Sequence, residues 1–205
     1  MSTKLSYFNF PFWRAEPSRI ALHIAGVEWT DDRPDREAFI ALKQSGTLPF
    51  GQLPVLELDG VSYGQSNAIT RYCGRLAHLY PTDAIEALRV DELMSAPEDL
   101  MIHLAGTMRE KEPEKKLELR RAFTHEQLTP WLARIESRVL LNQSSDFSVG
   151  EHLTIADLVL WRVIRWLNGG ILDGVPKGIA DGYARLERLL CAVEAHDGVQ
   201  SWHNR

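Results

Sequence analysis

Residues 50–63 read FGQLPVLELDGVSY, and this stretch decides how the first part of the chain folds. Its segments Pro54–Leu58 and Val61–Tyr63 are rich in residues that favour strands. Between them stands Asp59-Gly60, a dipeptide that suits a two-residue hairpin because such turns need positive φ values. The sequence therefore predicts an antiparallel hairpin here.

The hairpin is preceded and followed by an alternation of strands and helices. Apolar and polar residues alternate at the start of the chain, and Pro17 and Gly26 stand where a helix would begin and end. The remaining elements are predicted as strands at Lys4–Phe8 and Glu28–Arg33 and helices at Glu16–Ala25, at Asp35–Gln44 and from Gln65 onward. The order β-α-β-α-β-β-α predicts an α/β domain at residues 1–81.

Beyond this point helix-forming residues dominate, and the sequence shows no strand pattern. Four helices are predicted, at Ala84–Glu112, Glu114–Leu141, Thr154–Leu167 and Ile179–Ala195. Residues 83–205 are therefore predicted to form an all-α domain. Within it, Thr154 and Asp157 have the spacing of a helix capping box, a pattern that we interpret as purely structural.

Composition narrows the classes of function. The chain has 23 Lys and Arg against 28 Asp and Glu, a net charge of −5, which is the wrong sign for a general binder of nucleic-acid phosphates. Its two cysteines, Cys73 and Cys191, build neither a disulfide framework nor a cysteine zinc site. The sequence shows no secretory signal and no apolar stretch of membrane-spanning length. We therefore expect a soluble cytoplasmic protein with no metal, no nucleic acid and no membrane partner.

Four stretches, taken together, resemble the tyrosine-type cytosolic glutathione transferases, in the order and spacing of that family. They are Tyr7–Asn9 with Arg14–Arg19, Phe50–Leu56, Gln65–Ile69 and Leu153–Asp157. The resemblance covers the whole chain and is sigma-like. It implies a thioredoxin-like, glutathione-binding domain at residues 1–81. It also implies that the all-α domain at 83–205 forms part of the electrophile site and of a homodimer interface.

The resemblance makes Tyr7 the catalytic residue. Glutathione reacts as a thiolate, and a phenolic O–H that donates to the sulfur stabilises this anion. Related enzymes use a Ser or Cys just after the first strand, and the segment between Phe8 and Pro17 contains neither. The alternative interpretation of Tyr7 is a core aromatic residue at the end of a strand.

The resemblance also implies a set of glutathione-binding residues: Tyr7, Arg14, Lys43, Gln52, Leu53, Pro54, Gln65, Ser66 and Asp99. A cis peptide bond before Pro54 would free the main chain of Leu53 to pair with the cysteinyl backbone of glutathione. The helix N-terminus at Ser66 suits the γ-glutamyl carboxylate, because it offers unpaired N–H groups and a partial positive charge. The structural alternatives are an ordinary strand edge at Pro54 and a plain helix cap at Gln65-Ser66.

Two charged residues complete the implied site. Lys43 is placed where the family uses a cation for the glycyl carboxylate of glutathione. Asp99 is placed where related enzymes reach the partner subunit's glutathione and pair with its α-amine. The alternative for both residues is an ordinary solvated charge on a helix.

Two departures from the family pattern concern the substrates. Phe10–Trp13 carries an extra residue and large aromatic side chains, so that Arg14 comes one position later than in the family, and Phe39 stands where relatives often have Trp. We expect a glutathione transferase with an apolar electrophilic substrate and no cofactor besides glutathione as co-substrate. The alternatives are a glutathione-dependent isomerase of the prostaglandin D synthase kind and a non-catalytic binding or structural protein.

Overall fold

The computed structural model describes residues 2–205, which form two compact units. The first unit contains the chain as far as Pro81 together with Asp197–Arg205, and the second contains Thr82–His196. Within the described range, no helix is both long enough and apolar enough to span a bilayer.

The first unit is built on a four-stranded sheet in the order β2-β1-β3-β4. Its elements are β1 Thr3–Ser6, α1 Glu16–Ile24, β2 Thr30–Asp32, α2 Arg36–Gln44, β3 Val55–Leu58, β4 Val61–Tyr63 and α3 Ser66–Leu76. Strand β1 is parallel to β2 and antiparallel to β3, and β3 pairs with β4 as the predicted hairpin. The predicted order β-α-β-α-β-β-α is confirmed.

The core of this unit follows from the register of the two central strands. Leu5 and Leu56 face each other across β1 and β3, and both are almost completely buried. Helices α1 and α3 pack against each other and bury Ile20, Leu22 and Ile69. Burial of this kind stabilises a domain in proportion to the apolar area removed from water, and it fixes the ends of β1 and β3 where the candidate site lies.

The second unit is all α, as predicted. Its helices are α4 Ala84–Arg109, α5 Pro113–Phe123, α6 Thr129–Val139, α7 Ile155–Asn168 and α8 Ala184–Ala195. Helix α7 contacts both α4 and α8 and is buried along most of its length, which is the packing expected of an almost wholly apolar helix. Its capping box is present, because the Asp157 carboxylate accepts hydrogen bonds from the Thr154 N–H at 2.7 Å and from its hydroxyl at 2.8 Å.

Two predicted helices of this unit differ from the structure. The segment predicted as one helix, Glu114–Leu141, is interrupted by a π-helical turn at Thr124–Leu128. Pro130 follows this turn and lacks the N–H that a continuous α-helix would use, while the Thr129 hydroxyl donates to the Thr124 carbonyl at 2.9 Å. The helix predicted from Ile179 begins only at Ala184, because Gly182 just before it has a φ of +90°.

A short ninth helix, α9 Asp197–His203, was not predicted. It belongs to the first unit, so the boundaries of that unit differ from the predicted division into residues 1–81 and 83–205. The physical reason is a contact that sequence spacing does not reveal: Trp202 is buried, and its indole N–H donates to the Glu16 carboxylate on α1 at 2.7 Å.

Candidate functional site

A cavity of about 130 Å³ lies in the first unit, between the start of β3 and the start of α3. Its walls are formed by Arg14, Phe50, Gln52, Leu53, Pro54, Gly64, Gln65 and Ser66. Six residues of the predicted glutathione-binding set are thus brought together here. Residues from three separate segments of the chain meet at this cavity because β3 pairs with both β1 and β4.

The strand end that carries Tyr7 adjoins this cavity through the register of the sheet. Ser6 is paired with Val55, so that the next position along the antiparallel pair sets Tyr7 opposite Pro54. The Tyr7 N–H donates to the Asp32 carbonyl at 3.0 Å and continues the pairing with β2 by one residue. The peptide bond between Leu53 and Pro54 is cis, as the resemblance implied.

The Tyr7 side chain is only 4% exposed and is surrounded by aromatic rings. Its ring centroid lies 5.5 Å from that of Phe8 in an edge-on arrangement and 5.6 Å from that of Phe10. The guanidinium carbon of Arg19 lies 5.9 Å from the same centroid. Burial of this degree restricts the directions in which the phenol can point, which is a requirement for a hydroxyl that acts on one particular atom.

The start of α3 supplies the anion-binding end of the cavity. Gln65 occupies the N-cap position with a φ of +74°, a region that side chains other than glycine rarely adopt, and its side chain does not cap the helix. The plain capping role is therefore absent at Gln65. Ser66 begins the helix, so that the unpaired N–H groups of the first turn and the positive end of the helix dipole lie at the cavity.

Two cations of the predicted set lie near the cavity in different ways. Arg14 is half-buried in the cavity wall, with its guanidinium carbon 6.0 Å from the centroid of the Trp13 ring. Lys43 is exposed in the last turn of α2, and its Cε lies 3.8 Å from where a Cβ on Gly51 would stand. Lys43 therefore sits next to the segment that carries Gln52, without lining the cavity itself.

A group of five aromatic side chains, which we call the aromatic wall, extends from Tyr7 to the surface. Its members are Phe8, Phe10, Phe12, Trp13 and Phe39. The rings of Phe8 and Phe10 are nearly parallel with centroids 6.0 Å apart, and Phe39 meets Phe8 edge-on at 5.2 Å. Phe10 is 45% exposed, so the wall presents an aromatic surface to solvent beside Tyr7.

Asp99 belongs to the second unit and is exposed on α4. It lines a groove of about 440 Å³ between α4 and α6, together with His103, Trp131 and Arg138 among others. The two helices are joined at this groove by the indole N–H of Trp131 on α6, which donates to the Ala96 carbonyl on α4 at 3.0 Å. Asp99 is therefore available to a molecule that covers this face of α4.

The structure adds two residues of the cavity wall and one buried ion pair to the site that was predicted from the sequence. Phe50 and Gly64 line the cavity together, and a Cβ on Gly64 would come within 2.6 Å of the Phe50 ring. Because this contact joins residues on different loops, only the hairpin geometry could have indicated it. The Glu16–Arg19 pair has the spacing of a helical ion pair, but its complete burial gives no signal in the sequence.

Cys73 is excluded as a competing nucleophile. Burial raises the pKa of its thiol from about 9 to about 12, so that it stays protonated near neutral pH. It sits on the buried face of α3 and behaves as a small core residue.

The chain is similar to known proteins in both its N-terminal and its C-terminal part. It matches the family described as "Glutathione S-transferase, N-terminal domain" over residues 3–75 and "Glutathione S-transferase, C-terminal domain" over residues 98–205. Glutathione S-transferase 1 of Ascaris suum is 36% identical over 205 residues, which covers 97% of this chain and 94% of that protein.

Two solved structures are similar over all of this chain. The prostaglandin synthase D of Nilaparvata lugens has a TM-score of 0.86 at 25% identity and is covered to 98%. A glutathione S-transferase of the hookworm Necator americanus, described as monomeric, has a TM-score of 0.79 at 25% identity and is covered to 97%.

Proposed function

The chain belongs to the glutathione S-transferase family and acts as a glutathione transferase, and from this premise we propose that Tyr7 activates the thiol for attack on an apolar electrophile. The observation that supports this most strongly is the cavity at the start of α3. It combines the main chain of Leu53, the helix N-terminus at Ser66 and the strained Gln65 beside the strand end of Tyr7.

Each polar part of glutathione is bound by a different group around the cavity. The γ-glutamyl carboxylate lies at the N-terminus of α3, where the N–H groups and the Ser66 hydroxyl donate to it. The main chain of Leu53 pairs with the cysteinyl residue as an added strand would. Gln52, Arg14 and Lys43 lie at or next to the cavity and provide polar and positively charged groups for the glycyl end. The α-ammonium group is paired with Asp99 of the partner subunit.

The chemical step needs a thiolate and a second substrate. The glutathione S–H releases its proton to solvent, and the Tyr7 O–H donates a hydrogen bond to the resulting anion, which lowers the pKa of the bound thiol. The sulfur lone pair then forms the S–C bond while the leaving group departs with its electron pair, or while the electrophile's π bond opens and is protonated by water. The reaction uses glutathione as co-substrate, with no metal or other cofactor, and amounts to detoxification of a reactive compound.

The second substrate meets the aromatic wall. Phe10 exposes nearly half of its surface next to Tyr7, and Phe12 lies against it with centroids 5.5 Å apart. Flat apolar molecules stack on such rings with a gain beyond simple burial. We therefore propose a planar, apolar electrophile rather than a small polar one.

The protein is proposed to act as a cytoplasmic homodimer. Helix α4 exposes Ile85, Leu88 and Ile102 on the same side as Asp99, at the spacing of a helix face. Large apolar side chains at both ends of one exposed face favour a second copy as the occupant, because the face would otherwise remain in contact with water. Dimerisation would also bring Asp99 to the partner's glutathione.

A binding and turnover experiment tests the function. We expect the protein to be retained on immobilised glutathione and eluted by free glutathione, and to conjugate 1-chloro-2,4-dinitrobenzene. S-Methylglutathione, which lacks the thiol, is the control, because it should elute the protein and support no conjugation. Retention without turnover of any electrophile would indicate the non-catalytic alternative. Isomerisation of a prostaglandin endoperoxide without conjugation would indicate the isomerase.

A further inference from the structure

A buried chain of hydrogen bonds connects the C-terminal helix α9 with the strand end that carries Tyr7. The indole N–H of Trp202 donates to Glu16 Oε1 at 2.7 Å. Glu16 Oε2 accepts from Arg19 Nη1 at 3.4 Å. Arg19 Nη2 in turn donates to the carbonyl oxygens of Tyr7 at 3.1 Å and of Phe8 at 3.3 Å. All these residues belong to the first unit.

The two central charges of this hydrogen-bonded chain, those of Glu16 and Arg19, are almost completely removed from water. Arg19 is fully buried, and Glu16 is 6% exposed. Asp31 also accepts from Arg19 Nε at 2.9 Å and pairs with Arg33 at 2.6 Å. The guanidinium carbon of Arg205 lies 3.1 Å from the centroid of the Trp202 ring. Asp31 and Arg33 are 22% and 35% exposed, so the buried charges are those of Glu16 and Arg19, and loss of either one leaves the other less compensated.

Packing alone does not account for this arrangement. Well-packed apolar residues of similar volume are often as stabilising as a buried ion pair, so the charges are not needed for burial itself. Their specific effect is to hold atoms in place. The Tyr7 and Phe8 carbonyls lie beyond the last residue of β1, where the regular ladder with β3 has ended. A planar guanidinium that bonds both carbonyls fixes the direction in which this backbone leaves the sheet.

We propose that Trp202 is a positioning residue for thiol activation: acting through Glu16 and Arg19, it fixes the Tyr7–Phe8 main chain and thereby the direction of the Tyr7 hydroxyl. The proposal rests on the proposed role of Tyr7. It makes the C-terminal helix part of the machinery that orients the catalytic phenol, although α9 contributes no residue to the cavity wall. A hydroxyl that acts on a single sulfur atom is sensitive to small displacements of its backbone.

The test is the substitution Trp202→Phe, which keeps an aromatic ring but removes the N–H donor together with part of the indole's volume. Trp29→Phe is the matched control, because Trp29 stacks on Trp202 with centroids 6.3 Å apart and lies outside the hydrogen-bonded chain. We expect Trp202→Phe to lower kcat about fivefold with the KM for glutathione within about twofold, since the hydroxyl is misdirected while the binding groups stay in place. Trp29→Phe should leave both constants unchanged.

Hydrogen exchange gives a second readout that does not depend on activity. Trp202→Phe should speed amide exchange in the segment after β1 by about fivefold more than in the β3–β4 hairpin, because only local opening becomes easier. Uniformly faster exchange, or a lower melting temperature with unchanged kcat well below it, would show a merely structural role and overturn the proposal. Unchanged kcat and unchanged local exchange would also overturn it.

A double-mutant cycle tests whether the effect travels through Glu16. Glu16→Gln weakens the bond to Arg19, so Trp202→Phe should cost clearly less in kcat on that background than in the wild type. Equal costs would show that the two residues act separately, which contradicts the proposal. Glu16→Gln alone should show the same lowered kcat and faster local exchange, which keeps the test usable if Trp202→Phe does not fold. If the wild type lacks turnover, the proposed function fails, and the exchange comparison alone decides the positioning role.

Discussion

Gln65 shows at the scale of one residue how the site differs from ordinary structure. Its φ of +74° costs free energy for any residue with a side chain, and glycine would relieve this cost. Gln65 lines the cavity and does not cap its own helix. Its strain is therefore explained if the site needs its backbone and side-chain polar groups in one particular position. The family resemblance of Gln65–Ile69 implied Gln65 and Ser66 as site residues, but the strain at Gln65 depends on the loop that enters α3.

The contacts of Phe50 and Arg19 show why other parts of the site could not be predicted. Phe50 contacts Gly64 only because the β3–β4 hairpin returns the chain to the same place. Arg19 has the spacing of a surface ion pair with Glu16, yet it is completely buried. Local patterns identify residues whose role comes from their own segment, whereas contacts between distant segments need the fold.

The first prediction concerns the hydroxyl of Tyr7. Tyr7→Phe should leave glutathione affinity nearly unchanged and lower turnover at neutral pH by at least about tenfold, because the hydroxyl stabilises the thiolate and not the carboxylates of the peptide. The pKa of the bound thiol should rise, so that the loss is largest below the new pKa and shrinks above it. The thiolate absorbance of the bound complex, titrated against pH, measures this shift. An unchanged pH–rate profile would remove Tyr7 as the activating group.

The second prediction concerns the hydroxyl of Ser66. Ser66→Ala should cost about 1.5–3 kcal/mol of glutathione affinity, the usual value of one hydrogen bond to a charged group. Calorimetric titration with glutathione measures the loss. Ser62→Ala is the control, because Ser62 lies on β4 outside the cavity wall. Equal affinities for the two variants would contradict the placement of the γ-glutamyl carboxylate at α3.

At the scale of secondary-structure elements, predictability follows the locality of the signals. The hairpin was predicted because its turn residues and its strands are adjacent in sequence. The π-helical turn at Thr124–Leu128 was missed, because a single turn of 5 residues is too short to leave a periodicity of its own in the sequence. Helix α9 was missed because it is only 7 residues long and is held by the distant Glu16.

The third prediction concerns the start of helix α7. The Asp157 carboxylate is fully buried and accepts hydrogen bonds from the N–H groups of Thr154 and of Ser148, the latter at 2.6 Å. Burial raises the pKa of this carboxyl, and the bonds from Ser148 and Thr154 oppose the shift. Asp157→Ala should cost about 2–4 kcal/mol of unfolding free energy, because buried donors lose their acceptor. The neutral isostere Asp157→Asn should cost less.

An exposed cap of the same type is the control for Asp157. Asp83 caps α4 by accepting from the N–H groups of Ile85 and Glu86, both at 2.9 Å, and water can replace it there. Asp83→Ala should therefore cost only about 1 kcal/mol. Urea unfolding of the three variants gives the comparison. Equal costs for Asp83→Ala and Asp157→Ala, or a kcat lowered by Asp157→Asn below the unfolding transition, would contradict the structural role.

At the scale of the whole molecule, the proposed dimer would explain both the exposed ring of Phe50 and the exposed carboxylate of Asp99. Phe50 is 63% exposed beside the cavity, although it is a large aromatic side chain. The fourth prediction is that Phe50→Ala shifts the protein from dimer towards monomer in sedimentation velocity, because the ring anchors the partner subunit. Ile171→Ala is the control, since Ile171 is equally exposed but lies outside the proposed contact. A Phe50→Ala protein that stays fully dimeric at low micromolar concentration would show that the ring only covers its own domain.

The last prediction is that the two active sites of the dimer are shared through Asp99. In the proposed complex the α-ammonium group of glutathione is next to the N-terminus of α3, which itself favours anions, so a carboxylate is needed to compensate it. The cavity wall contains no Asp or Glu within the described residues, whereas Asp99 is exposed on the face of α4 proposed to meet the partner. Asp99→Ala should therefore weaken glutathione binding by about 1.5–3 kcal/mol.

Mixed dimers decide which subunit Asp99 serves. When Tyr7→Phe and Asp99→Ala subunits are combined and the heterodimer is purified by two different tags, a shared site puts both lesions in one active site and none in the other. Half of the sites then regain wild-type turnover at subsaturating glutathione, and the heterodimer is more active than either parent. If Asp99 served its own subunit, each site would keep one lesion and activity would equal the mean of the parents. Wild-type and doubly substituted homodimers set the two ends of the scale, so that recovery to half of the wild-type rate is a direct count of intact sites.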